Sequence, residues 1–557
     1  MQKKYYLFLV LLLTMVIAAC SDDSNVEENT GSGTEETGQS GDLTVGMMNE
    51  VVTLDLHYSN DASSSQVRRN IYERLIFQDE NMELQPMLAS EWEQTDDNTW
   101  TFTLREDTTF HEGSEFTAED VKATFDRVRD PAVASAVEFL FEMVDEVEVV
   151  SDYEVTMTTA YPFAPLPSHL AHGTAGIMSK DIIDRDYQQA LDDAGVDMTA
   201  DEYYELREAG GEEYDEVVDQ IAEHVGQVLG NETDGTNHLE LESRSAGDNV
   251  VLTKFEDFTG GDRNFDTVTF RVIPESGARM AELESGGIQI ATDIDSSSAE
   301  RLENGQDTAL LERESVRMSY LGMNVQQEPF DDVRVRQAIA YAIDREEIIS
   351  GVYDDMGIVA DGPLAPDVWG YNEDLEGVHY DLDRAQELLS ETDVADGFDT
   401  TIWVNDDQQI IDTAVYIQEA LSALNINVSI EQFEWGSYLE TLAEGNHDMY
   451  ILGWTTVTGD ADYGLYALFH SDSQGATGNR SFYDNPEVDE LLDAGRSATD
   501  EDVRYQNYTD VQEILIEEVP MAYIFHPNFA IGVNEAQVDG AIIDPTGALD
   551  IKDVEFK

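Results

Sequence analysis

A single cysteine, Cys20, restricts this 557-residue chain more than any other residue in it. It closes an N-terminal stretch in which Lys3 and Lys4 precede an apolar run from Tyr5 to Ile17 and the small residues Ala18 and Ala19. A basic start, a short apolar segment and small residues before a cut are the marks of an export signal, and the run is shorter than the ~20 residues that a spanning helix needs. Cys20 stands where a lipoprotein is cleaved and acylated, with Ile17-Ala18-Ala19-Cys20 as the lipobox. Residues 1–19 read as a lipoprotein signal peptide and Cys20 as the lipidation site, which places the chain on the extracytoplasmic face of the cell membrane. An uncleaved anchor, or plain secretion with a stray thiol, are the competing readings. With no second cysteine there is no disulfide, so the exported body must hold together through its hydrophobic cores.

Material for such cores is ample: 41% of residues are hydrophobic, with 24 Tyr and 21 Phe. The exception is Ser21–Gly41, rich in Ser, Gly, Thr and Glu, so residues 20–41 read as a flexible tether. Charge is extreme, with 118 Asp+Glu against 29 Lys+Arg and a net −89. The acids are spread along the chain and describe a solvated surface, which repels itself in dilute buffer. At about 1 M salt the Debye length falls to about 3 Å and most of that repulsion is screened, the pattern of a halophile. Nucleic acid is excluded as a partner, because phosphate contacts need a basic patch.

Along the body, Leu43–Met48 reads as a strand and Ser65–Phe77 as a helix, with apolar residues at Val67, Ile71, Leu75 and Ile76. Trp100–Leu104, Val147–Val150 and Val155–Met157 read as strands, and a Thr117/Asp120 capping box opens a helix between them. Further on, Val333–Ile343 and Thr413–Leu424 are amphipathic helices beside short strands at Asn427–Glu431 and Met449–Leu452. This alternation indicates α/β lobes. Residues from about 184 to 230 are acid-rich and helical, and read as a surface insertion without a chemical motif.

Catalytic motifs are absent: there is no Gly-x-Ser-x-Gly elbow and no His-Glu-x-x-His. An exported hydrolase stays open through the abundance of acid pairs, which could include a glycosidase dyad. For metals, His169-x-x-His172 lacks a third ligand, and Asp460-Ala-Asp462 begins like a calcium loop but lacks the terminal Glu. No metal site and no cofactor are expected.

Several segments together resemble the solute-binding family 5 of ABC importers, the dipeptide, oligopeptide, nickel and glutathione group. They are Pro86-Met-Leu-Ala-Ser-Glu-Trp92, Trp100-Thr-Phe-Thr-Leu-Arg105, Phe110-His-Glu-Gly113, Phe116-Thr-Ala-Glu-Asp-Val121, Tyr320-Leu-Gly-Met-Asn324, Pro329–Ile339 and Tyr341-Ala-Ile-Asp-Arg345. Their aromatic residues read as core. The resemblance implies an α/β, two-lobe periplasmic-binding-protein-like fold of type II, whose first lobe is discontinuous and carries an extra subdomain. Lobe I would span 42–272, with the subdomain at about 80–172, lobe II 273–526, and 527–557 would return to lobe I. Crossings would lie near Arg271–Pro274 and Ala522–Phe525. It further implies a monomeric binder, and no enzyme, that hands a short peptide or glutathione to an ABC permease; a nickel-binding member is the alternative within the family.

A closing cleft removes its ligand from water, so each ligand charge needs a partner inside. Gly453–Gly464 follows a strand and lies where such lobes place ligands. On the resemblance, Asp460 would hold a peptide ammonium, Trp454 would form an apolar wall, Asp462 would share the charge and Tyr463 would cap the site. Ser63 and Ser64, at a helix start, would suit a carboxylate, and Trp435 is a weaker candidate. Dipeptide-type members use an arginine ahead of the helix at 413–424, whereas Trp403–Ile411 has no basic residue. That departure argues against strict dipeptide specificity, and the run Gly459-Asp-Ala-Asp-Tyr-Gly-Leu465 after the tryptophan resembles glutathione-type binders.

Overall fold

Two extended runs, each too long for one sheet, organise the molecule. Strands usually hold ~5–6 residues, yet Met521–Val533 is one strand of 13, and Ala309–Glu314 continues almost directly into Arg317–Met323. The computed structural model describes residues 41–557 other than Asp262 and Ala476; the export segment, Cys20 and the tether up to residue 40 lie outside the described residues.

The long strand belongs to two sheets. Its second half pairs with Ala309–Glu314 and Ile290–Ala291. Beyond these lie Gly41–Met47, Phe265–Val272, Asn249–Lys254 and Leu239–Ser245, forming the sheet of the first lobe. Its first half pairs with Arg317–Met323 and, at the turn, with Gly357–Val359. Met449–Thr455, Asp399–Val404 and Asn427–Gln432 complete the second lobe's sheet. The two passages between lobes therefore run side by side, Glu314 opposite Asn528 and Ser319 opposite Phe525.

The first passage is thus at Glu314–Arg317 and not near Arg271–Pro274. Arg271 and Val272 sit in the first sheet, parallel to Gly46 and Met47. The following helix, Ser276–Ser285, stays there because Arg279 donates to the carbonyls of Ile273, Thr292 and Asp293.

The subdomain is a four-stranded antiparallel sheet, Ala89–Asp96, Thr99–Leu104, Glu154–Thr159 and Val144–Ser151. Phe102, Phe110 and Phe116 are buried in its core, with Trp92 and Trp100 packed against it. The capping box forms as read: the Thr117 N–H donates to Asp120 at 2.8 Å, opening the helix Ala118–Val128.

Two local readings change. The helix expected over Ser65–Phe77 is only Ala62–Arg68, after which the chain turns into a strand at Ile76–Gln78. The acid-rich segment is not a surface appendage. Its helices Lys180–Ala194, Ala200–Ala209 and Glu212–Ile221 bury Ile182, Tyr187, Leu191, Tyr203 and Ile221 in the same core as Leu43 and Val45. Tyr187, Tyr203 and Tyr214 donate to the buried Asp130, which also pairs with Arg207. Acids cover the outer faces of these helices, and composition hides the apolar inner stripe.

Candidate functional site

Side chains alternate along Met449–Thr455. Tyr450 and Leu452 are buried in one second-lobe core with Trp454 packed against it, while Met449 and Ile451 enter another. The strand is parallel to Asp399–Val404, so both carboxyl ends open on one edge, the location at which open α/β sheets receive ligands. Beyond Thr455 the chain turns through Gly459 (φ 63°) into the helix Ala461–Phe469.

The first lobe meets this turn. The Gln78 side chain donates to the Thr458 carbonyl, and a Cβ on Gly459 would lie 2.6 Å from Gln78 Nε2 and 2.8 Å from Met82 Cε. The Ala164 N–H donates to the Arg496 carbonyl at 2.9 Å. Between these contacts runs an aromatic series: Trp454 and Tyr463 have ring centroids 5.4 Å apart, and Tyr463 lies 6.4 Å from His169 of the subdomain. Burial pushes the Tyr463 hydroxyl up to about 12, so it stays a neutral donor. Trp454 Nε1 is buried without a protein partner.

Asp460 and Asp462 lie at this turn, but their charges are already matched. Asp460 is 3% exposed, caps the helix by accepting the Asp462 N–H at 2.9 Å, and pairs with Arg504 at 2.5 Å. Arg504 in turn lies 4.2 Å above the Trp369 ring. Asp462 receives two bonds from Arg496, at 3.1 and 2.9 Å, and one from the Tyr508 hydroxyl at 3.0 Å. Burial alone would raise Asp462, but Arg496 beside it holds its carboxyl below the usual range. Capture of an ammonium needs a carboxylate with uncompensated charge, so the amine role expected of Asp460, shared by Asp462, does not fit this geometry. These residues fix the turn that carries Trp454 and Tyr463.

The serines do not join the site. Ser64 Oγ accepts the Val52 N–H at 3.0 Å, and Asp61 caps the short helix by accepting the Ser64 N–H at 2.8 Å. A carboxylate already sits at that helix start, and a second would be repelled. Ser63, on the same turn, is partly exposed. Trp435 opens the helix Trp435–Ala443, is 48% exposed and lies 6.3 Å from Tyr438. His169 Nδ1 contacts the Leu140 carbonyl and His172 Nδ1 contacts the Thr174 hydroxyl. Among the described residues no group of three or more His, Cys, Asp or Glu could hold a metal ion.

One group escaped the sequence reading. Arg317, the first residue of the second-lobe strand, pairs in register with Thr455. Its Nη1 is 3.5 Å from Thr455 Oγ1, and its Nη2 lies 2.6 Å from where a Cβ on Gly453 would stand. Burial lowers its pKa, against the influence of Tyr353, Tyr320 and Asp407. The available signal was a lone base inside an apolar strand, Val316-Arg317-Met318, in a chain with few bases.

Comparison with known proteins sets this geometry in context. The model of bacterial extracellular solute-binding proteins, family 5, matches residues 83–476. The dipeptide-binding protein of Escherichia coli is 27% identical, over 87% of this chain and 89% of that protein. The glutathione-binding protein GsiB of Salmonella typhi is 28% identical over 86% of this chain and 88% of its own. Among solved structures, the periplasmic binding protein DppA of Helicobacter pylori, in complex with the peptide STSA, superposes with a TM-score of 0.75. It is 26% identical and the match covers 94% of this chain and 99% of that one.

Proposed function

Because the chain belongs to the bacterial extracellular solute-binding proteins of family 5, we propose that it captures short peptides or glutathione between its lobes and delivers them to an ABC importer. The observation that carries the ligand class is the near full-length similarity to one dipeptide-binding and one glutathione-binding protein. The seam supports it: Trp454 and Tyr463 offer apolar walls with polar tips, and Trp454 Nε1 is a buried donor awaiting an acceptor. Aromatic walls with a few directed polar groups are what small-ligand clefts use.

Binding, and not turnover, is the work of such a site. Isothermal titration in molar KCl against dipeptides, longer peptides and glutathione tests the reading; one saturable ligand class is the expected outcome. Hydrolysis of a chromogenic ester, peptide or glycoside instead would move the assignment to an exported hydrolase. Cys20 completes the proposal as the lipid attachment point of a monomer on the outer face of the cell membrane. Substituting it (C20A) should release the protein from the membrane fraction into the medium or periplasm.

A further inference from the structure

The arginines of this acidic chain are closely matched. Arg127 pairs with Asp55, Arg496 with Asp462 and Arg504 with Asp460. Arg68, Arg74, Arg244, Arg279 and Arg336 form no such pair but donate to backbone carbonyls. Arg317 does neither. The one described contact of its guanidinium is Thr455 Oγ1 at 3.5 Å, the outer limit of a hydrogen bond. The Arg317 guanidinium is only partly buried and carries five N–H donors in a planar fork that an incoming carboxylate can engage in place of water.

We propose that Arg317 binds a carboxylate of the ligand. The inference rests on the peptide or glutathione reading and identifies which end of the ligand this edge of the cleft receives. Arg317 is the last residue of the passage between lobes and stands opposite Thr455, at the carboxyl end of Met449–Thr455, on the edge towards which the parallel strand Asp399–Val404 also runs. Gly453 leaves the room in which the guanidinium lies along the strand; any side chain there would meet Nη2. The neighbouring turn Asn405–Asp407 supplies acids and no base. A protein of net charge −89 repels an anion in solution, so retaining a carboxylate requires a fixed cation at close range, and an arginine fork suits it.

The test compares free acids with neutral derivatives: a dipeptide against its C-terminal amide, and glutathione against its diethyl ester, titrated in molar KCl. Wild type should bind the acids about 10- to 100-fold more tightly, the range of a charge-assisted pair. Arg317→Gln should bind acid and derivative alike, at the weaker level, with an unchanged melting temperature, and Arg317→Lys should recover part of the preference. If Arg317→Gln keeps the preference for the acid, the clamp is wrong. So it is if wild type binds acid and derivative equally, a result that needs no variant to fold. A wild type that binds no dipeptide, no longer peptide and no glutathione overturns the peptide reading itself, and the clamp with it.

Discussion

Replacing Asp460 by Asn separates a structural carboxylate from a ligand-binding one. Asn keeps the cap, because its side-chain oxygen still accepts the Asp462 N–H. What it removes is the charge opposite Arg504, which is itself largely enclosed between Trp369 and Tyr508. Breaking a buried pair by neutralising one member costs about 3–5 kcal/mol, since the other charge stays buried. The ring faces of Trp369 and Tyr508 attract the guanidinium but offer it no hydrogen-bond acceptor in the carboxylate's place. For a cooperative unit the size of one lobe, about 2–4 °C is lost per kcal/mol, so the transition of the second lobe should fall by on the order of 10 °C. Differential scanning calorimetry in molar KCl reads this directly. The double variant D460N/R504M should recover most of the loss, because no uncompensated charge is left behind. A melting temperature within a degree or two of wild type, combined with a clear loss of peptide affinity, would refute the reasoning and return Asp460 to the ligand.

Further predictions concern closure, pH and salt. Gly459→Ala places a Cβ at a left-handed φ and against Gln78 and Met82; titration should show weaker ligand binding, because the clash falls on the contact between lobes. Burial holds His57, His172 and His238 each at about 3, and His111, His447 and His526 each at about 4. An unfolded histidine titrates near 6.5, so their contribution is complete above that pH and declines as pH falls towards the folded values. The decline is about 1.4 kcal/mol per histidine for each unit. Glu73, raised to about 7 by burial, opposes this, because its penalty grows between pH 4.5 and 7. Urea melts between pH 4.5 and 7.5 should show net proton uptake on unfolding near pH 5.5, and none would contradict the assignment. Finally, the melting temperature should climb steeply from dilute buffer to molar KCl and then level off, as screening becomes complete.

The α/β alternation and the signature segments were legible in the sequence because each is local: a periodicity, a spacing. The strands read at Leu43–Met48 and Met449–Leu452 and the capping box at Thr117 depend on neighbours within a few residues; the strands form as Gly41–Met47 and Met449–Thr455, and the box at Thr117. The passage at Glu314–Arg317 had a local signal too, a strand pattern of fifteen residues from Ala309 to Met323, too long for one sheet. The partners of charged groups were not legible. Asp460 meets Arg504 and Asp462 meets Arg496 across 44 and 34 residues of chain, while Arg317 meets no carboxylate at all among the described residues. Sequence shows that a residue bears a charge; whether the charge is already neutralised is decided by what distant segments bring within about 4 Å, the range over which an ion pair forms.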